Sequence, residues 1–215
     1  MDKEVKLAFD APVNPELRKY VEQSIIPLYD KFDKAHQRDH VMMVIRQSLE
    51  LAKKLGVNLD LAYAIAAYHD TGLCEGRECH HVVSARIIRA DQTLRQWFTE
   101  EEIGTIADAA EDHRASSDHA PRTVYGRIVA EADRFIDADT IIRRTIQYGI
   151  DHYPTLDREE HYYRMVSHLR EKYGRGGYLH LWFDDSPNAQ RLRQLQVVIE
   201  DEVALRELFN RYFPH

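Results

Sequence analysis

The sequence predicts an all-α protein. Apolar residues recur at steps of three and four along most of the 215 residues, which draws one stripe down each of several helices. Capping residues bound several of those stripes. Alternation of apolar and polar residues, the mark of a half-buried strand, is confined to a short segment after Gly177.

The elements follow in chain order. Leu17, Tyr20, Val21, Ser24, Ile25, Leu28, Tyr29 and Phe32 form the first stripe. Pro27 sits inside it, so a kink or a division is expected near Ile26. Val41, Val44, Ile45, Ser48, Leu49 and Ala52 mark a second helix, with Gly56 as its C-cap. Leu61, Ala62, Ile65, Ala66 and His69 mark a third, which should stop at Thr71-Gly72. Val83, Ile87 and Ile88 suggest a fourth. Ile103, Ile106, Ala107, Ala110 and His113 suggest a fifth, with Thr99 as N-cap and Glu102 completing a capping box. The polar stretch from Ala115 to Pro121 reads as a loop. Tyr125, Ile128, Val129, Ala132, Asp133 and Ile136 carry a sixth helix, and more are expected near 138–149, 158–173 and 187–213. The glycine-bearing segment from Gly174 to Phe183 breaks the pattern. It is expected to hold a short extended piece, and 174–186 is the best candidate for a joint between subdomains. The whole, 1–215, reads as one helical domain with a core at about 30–150 and a C-terminal extension at about 151–215. The terminal helices should either pack on that core or join two copies in a homodimer.

Composition narrows the function. Hydrophobic residues make up 44% of the chain, enough for a sizeable core. The net charge of −7, with both signs mixed, offers no general attraction for a nucleic-acid polymer or an anionic membrane. The charged start Met1-Asp2-Lys3-Glu4 lacks the apolar stretch of a secretory signal, and no apolar run approaches the roughly 20 residues that span a bilayer. Two cysteines, Cys74 and Cys79, are too few for a disulfide framework. A cytoplasmic location is expected.

Chemistry gathers at His40, His69-Asp70, His80, His113 and Asp133. Each lies on or beside the inward stripe of its own helix. Burying several imidazoles and two carboxylates is costly unless they are paired or bind a cation. A divalent metal resolves that cost, and imidazole nitrogen with carboxylate oxygen suits Zn, Mn, Fe, Co or Ni. Gly72, just beyond the His-Asp pair, would let the last helical turn open toward such an ion.

Three motifs, Asp39-His40-Val41-Met42-Met43-Val44, His69-Asp70-Thr71-Gly72 and Ala130-Glu131-Ala132-Asp133-Arg134-Phe135, resemble the HD superfamily of metal-dependent phosphohydrolases. The resemblance covers roughly residues 30–140. It implies an HD-type helical core with additional terminal helices, and one metal held by His40, His69, Asp70 and Asp133. The run from His80 to Ile88 is similar to the second-metal helix of the binuclear branch, with His80 as ligand and His81 as its rival. Asp112-His113-Arg114 looks like the next ligand motif of that branch. Asp70 would then bridge two ions. The branch that cleaves cyclic dinucleotides has a second histidine where Arg114 stands, and a Gly-Tyr-Pro motif in place of Ser116-Ser117-Asp118-His119. That departure argues against a cyclic dinucleotide substrate.

The implied cofactor is one or two divalent ions, Mg included, and the implied reaction is hydrolysis of a small phosphorylated substrate by metal-activated water. Asp70, His80 and His113 are the candidate catalytic residues. Arg38, Arg77, Arg114 and Arg134 are candidates to bind phosphate, with Lys34 and His36 facing the same pocket. The same six ligands also occur around two irons in helical oxygenases of the superfamily, and an inactive ligand-binding member is a third reading.

Overall fold

The computed structural model describes residues 12–33, 36–114 and 119–214. Among these residues are ten α-helices and no strand. The chain divides into two compact units, one ending at Asp133 and the other starting at Arg134.

The first unit opens with α1 (Pro15–Tyr20), capped by the Asn14 side chain, which accepts from the amides of Glu16 and Leu17. The apolar stripe continues past Tyr20, but the backbone changes pitch. Val21–Ile25 is a π turn and Ile26–Lys31 is 3₁₀, with Pro27 in its first turn. Pro27 has no amide hydrogen to give a regular helix, and the altered pitch on either side of Ile26 absorbs that loss. The kink expected near Ile26 takes this form, while Leu17, Val21, Ile25, Ile26 and Tyr29 all stay buried.

Next comes α2 (Arg38–Leu55), which ends on Gly56 in the left-handed region at φ 68°. In α3 (Leu59–Tyr68) every residue from Leu61 to Tyr68 is buried. This helix is the centre of the unit, in contact with α2 and with α5 (Glu100–Glu111) and α6 (Val124–Ala132). Ala62, Ala64, Ala66 and Ala67 keep it thin enough for neighbours to approach on all sides. A 3₁₀ turn, Thr71–Glu75, leads on toward α4 (His80–Ala90), and the two pack together. The Thr99–Glu102 capping box starts α5 as the sequence predicts. α6 ends at Ala132, four residues short of the expected Ile136, which is buried in the other unit's core. Asp137 does not continue the helix. Its side chain accepts from the Thr140 amide and starts α7 (Ala138–His152).

The second unit adds α8 (Arg158–Tyr173), α9 (Pro187–Glu200) and α10 (Glu202–Tyr212) to α7. Its core is built on Ile142, Ile146, Met165, Leu169, Leu195 and Phe209. Two expectations need correction here. The single helix expected over 187–213 is divided at Asp201, which leaves helical geometry and caps α10 by accepting from the amides of Val203 and Ala204. The extended piece expected after Gly177 is absent. The amides of Tyr178 and Leu179 donate to the carbonyls of Glu171 and Lys172, so the chain turns back along the end of α8. A Cβ on Gly177 would lie 2.6 Å from the Lys172 carbonyl oxygen, so glycine is what permits this close return. The segment 174–186 is thus packed within one unit, and the chain divides between residues 133 and 134 instead. No described helix is long and apolar enough to cross a membrane.

Candidate metal centre

Six side chains from five stretches of the first unit converge. His40 stands in the first turn of α2. His69 is the C-cap of α3, and Asp70 follows it in the bridge region of backbone space, φ −106° and ψ 6°. His80 opens α4, His113 lies just past the end of α5, and Asp133 is the C-cap of α6. Helix ends suit this purpose because a side chain there has helix on one side of it only.

The six fall into two groups that share Asp70. His40, His69, Asp70 and Asp133 form one, and Asp70, His80 and His113 the other. Asp70 Oδ2 lies 3.5 Å from His40 Nε2 and 3.3 Å from His69 Nε2. Its other oxygen, Oδ1, lies 3.5 Å from His80 Nε2 and 3.4 Å from His113 Nε2. Asp133 Oδ1 closes the first group at 3.1 Å from His40 Nε2 and 3.7 Å from His69 Nε2. The His69 side chain is fully buried and that of His113 is 2% exposed, whereas His40 and His80 keep 15% and Asp133 27%. The site is therefore deep yet open on one side.

The backbone fixes which nitrogen faces inward. Nδ1 of His69 donates to the Ala66 carbonyl at 2.8 Å, and Nδ1 of His80 to the Arg77 carbonyl at 2.7 Å. Nδ1 of His113 donates to the Ala110 carbonyl in the same way. A carbonyl only accepts, so these Nδ1 atoms carry the proton and each neutral ring presents a bare Nε2. When the rings are neutral, the bare Nε2 atoms of His80 and His113 face each other at 3.1 Å, and the bare Nε2 of His69 lies 3.3 Å from His40 Nε2. Lone pairs aimed at one another repel unless a cation lies among them. The donor set therefore fits a divalent ion in each group, with the carbonyls orienting the rings from behind.

The electrostatics agree. Burial alone would raise the Asp70 carboxyl, but the His69 charge and hydrogen bonds from His113, His40 and His69 outweigh it and hold the group well below the carboxylate range. Asp133 behaves likewise, burial being outweighed by hydrogen bonds from His40 and His69. His69 moves the other way, to about 10: burial lowers it, and the Asp70 charge and the Asp133 hydrogen bond raise it more. Two ionised carboxylates in a buried pocket draw positive charge onto the histidines, and metal ions would take the place of those protons.

Supporting residues not recognised from sequence surround the ligands. Tyr29 donates its hydroxyl to the Ala67 carbonyl and accepts from the Asp70 amide at 3.3 Å, which pins the end of α3. Asp112 is buried and clamped by Arg122, whose Nε donates to Asp112 Oδ1 at 2.9 Å while its backbone amide donates to Oδ2 at 2.7 Å. That clamp braces the residue before His113. The Arg122 guanidinium is fully engaged there, with Nη2 also donating to Glu111. These partners are ordinary residues in the sequence; only the i−3 spacing of each carbonyl to its histidine offered a signal.

The remaining predicted residues divide. His36 stands beside the first group, its ring centroid 5.6 Å from that of His40 and its Nδ1 2.9 Å from Asp33 Oδ1. Arg114 stands beside the second group. Its Nη1 donates to the Glu78 carbonyl at 2.7 Å, and its charge helps burial to lower His80. Arg77 contributes its carbonyl to His80, with its side chain at the exposed surface. Arg38 is turned to Asp30 in a two-point pair at 2.5 and 2.6 Å, not toward the cluster. Arg134 opens the second unit, where its carbonyl accepts from Asn188 Nδ2. His81 lies outside both groups, its ring 5.5 Å from that of His80. Cys74 and Cys79 are free and exposed. Lys34 lies outside the described residues, as do Ser116, Ser117 and Asp118.

Comparison with known proteins gives one match: the HD domain family model aligns with residues 38–137. No curated protein and no solved structure matches the chain. The matched stretch begins just before His40 and ends just after Asp133, so it holds all six converging side chains. Residues 38–137 of this chain are therefore an HD domain, the helical fold of a superfamily made up largely of metal-dependent phosphohydrolases.

Proposed function

We propose that the protein hydrolyses a phosphate ester of a small metabolite or nucleotide at a centre for two divalent ions. The observation that carries this reading is the division of Asp70, one oxygen toward His40 and His69 and the other toward His80 and His113. Two ions so placed would offset the charge of the phosphoryl oxygens and lower the pKa of water toward neutrality. His40, His69 and Asp133 would hold the first ion, His80 and His113 the second, and Asp70 both. Arg114, anchored to the Glu78 carbonyl beside His80, would steady the substrate phosphate, and His36 would line the opposite rim.

The test is elemental analysis of the purified protein followed by assay on para-nitrophenyl phosphate and nucleotides with Mn, Co or Ni. Phosphate release is expected, with Asp70→Ala losing metal and turnover together and His113→Ala losing one ion of two. Turnover that survives Asp70→Ala would refute the centre. An iron-loaded protein that consumes oxygen and releases no phosphate would assign it to the oxygenase reading.

A further inference from the structure

A second candidate site lies in the other unit, away from any metal-ligand cluster. α7 and α8 enclose a cavity of about 350 Å³, within the size range of small-molecule sites. Arg144 from α7 and Arg164, His168 and Lys172 from α8 line it, and no Asp or Glu does. This is unusual for the unit. Three other arginines of the unit meet acids: Arg206 with Glu159, Arg175 with Glu200, and Arg170 with Glu202. Glu171 acts on His168 only from outside the lining.

Arg164 is set in place. Its Nη2 donates to the Thr145 carbonyl, and its guanidinium lies against the backbone of Gly149, where a Cβ would come within 2.5 Å. Its Nε is buried and has no hydrogen-bond partner. That nitrogen is closed off against Gly149, so Arg164 serves an anion in the cavity by its charge and not through this donor. Aromatic rings complete the lining. Tyr148 at the edge is covered by the His152 ring, stacked on it at 3.9 Å, and by the Arg164 guanidinium 5.9 Å from its centroid, whereas Phe135, also in the lining, is 44% exposed. Guanidinium groups bind phosphate through forked hydrogen bonds, and an exposed ring offers a face to a base.

We propose that this cavity binds a nucleoside phosphate, with the phosphate held by Arg144, Arg164 and Lys172 and the base laid against Phe135. Every charged group that would hold it comes from α7 and α8, and no group of the site is a ligand of the metal centre. The proposal therefore stands apart from the hydrolase reading.

Isothermal titration of AMP into the full chain, with chelator present to empty the metal centre, tests it. Saturable binding is expected, with inorganic phosphate and adenosine each weaker than AMP by about tenfold or more, since each offers half of the recognition. Arg144→Glu and Lys172→Glu should each weaken AMP by about tenfold or more, whereas Asp70→Ala should leave it unchanged. Should a charge reversal fail to fold by circular dichroism, Arg144→Gln and Phe135→Ala replace it with the same expectation. No binding at millimolar AMP, binding indifferent to Arg144 and Lys172, or binding lost in Asp70→Ala would overturn the site. Equal affinity for inorganic phosphate would overturn its assignment to a nucleotide.

Discussion

Gly72 illustrates how a residue can be needed for a reason other than its usual one. Its backbone is not in the left-handed region; the glycines with positive φ are Gly56, Gly76 and Gly176. The role expected from sequence, freedom to open the helix end, is not the one it has. A Cβ on Gly72 would stand 2.0 Å from the His80 carbonyl oxygen and 2.6 Å from the Ser84 amide nitrogen, both backbone atoms that cannot swing aside. The Gly72 amide also donates to Ser84 Oγ at 2.9 Å. Close packing of the turn after Asp70 on the start of α4 is what brings His80 to Asp70. Gly72→Ala should cost about 3 kcal/mol, the upper range for an overpacked site. It should also release the ion of the His80 group before that of the His40 group. A variant with wild-type melting temperature and full metal content would show that the turn yields easily. Arg114 gives a contrasting case, since it touches no ligand oxygen. Arg114→Ala should raise KM for a phosphorylated substrate by about tenfold with little change in kcat. Steady-state kinetics would check this, and a change confined to thermal stability would assign Arg114 to bracing the Glu78 loop.

Between elements, one carboxylate joins three stretches of chain. Asp91 Oδ2 accepts from the Tyr20 hydroxyl at 2.7 Å and the Tyr68 hydroxyl at 2.5 Å, and Oδ1 accepts from the Thr93 amide at 2.9 Å. The end of α1, the end of α3 and the turn after α4 are thus tied at one point. Burial would raise the Asp91 carboxyl, but hydrogen bonds from Tyr68 and Tyr20 outweigh it and the group is lowered. A carboxyl lowered in the folded state stabilises fully above its ordinary pKa, and that stabilisation fades as pH falls through the ordinary value toward the lowered one. Asp91→Ala should therefore lose about 2 kcal/mol at neutral pH, with hydroxyls left unpaired, and less below about pH 4. Urea unfolding at both pH values reads the gap, and an equal gap at both would mean that the ionised form is not what matters. The sequence shows why such ties escape notice. Thr99 with Glu102, and Gly56 after its stripe, were legible because caps act within one turn. Asp201 was not, because the apolar stripe on either side of it keeps step and only its backbone angles divide α9 from α10. The ligands were legible because each sits on an inward stripe near a helix end. Arg38 misled for the converse reason: it is next to His40 in motif, yet Asp30, eight residues back, captures it.

At the scale of the molecule, the chain keeps two separate sets of buried apolar residues, one from Val13 to Ala132 and the other from Ile136 to Phe209. All six proposed ligands belong to the first. Without ions, that unit must hold two ionised carboxylates and four imidazoles in its interior with lone pairs opposed, a burial that costs several kcal/mol unless protons compensate. Bound ions remove that cost and add linkage, about 3–4 kcal/mol at free metal 100 to 1,000 times the dissociation constant. The second unit gains nothing directly, since its core of Ile142, Met165, Leu195 and Phe209 contains no ligand. Chelation should therefore act unevenly along the chain. Amide hydrogen exchange with and without chelator should speed up in α3, α4 and α5, whose ends carry His69, His80 and His113, and stay constant in α8 and α9. Local openings report the stability of each cooperative unit, so exchange resolves the two where a single melting curve averages them. Faster exchange spread equally over both units would mean that they unfold as one body, and no change anywhere would mean that the histidine groups hold no ion in solution.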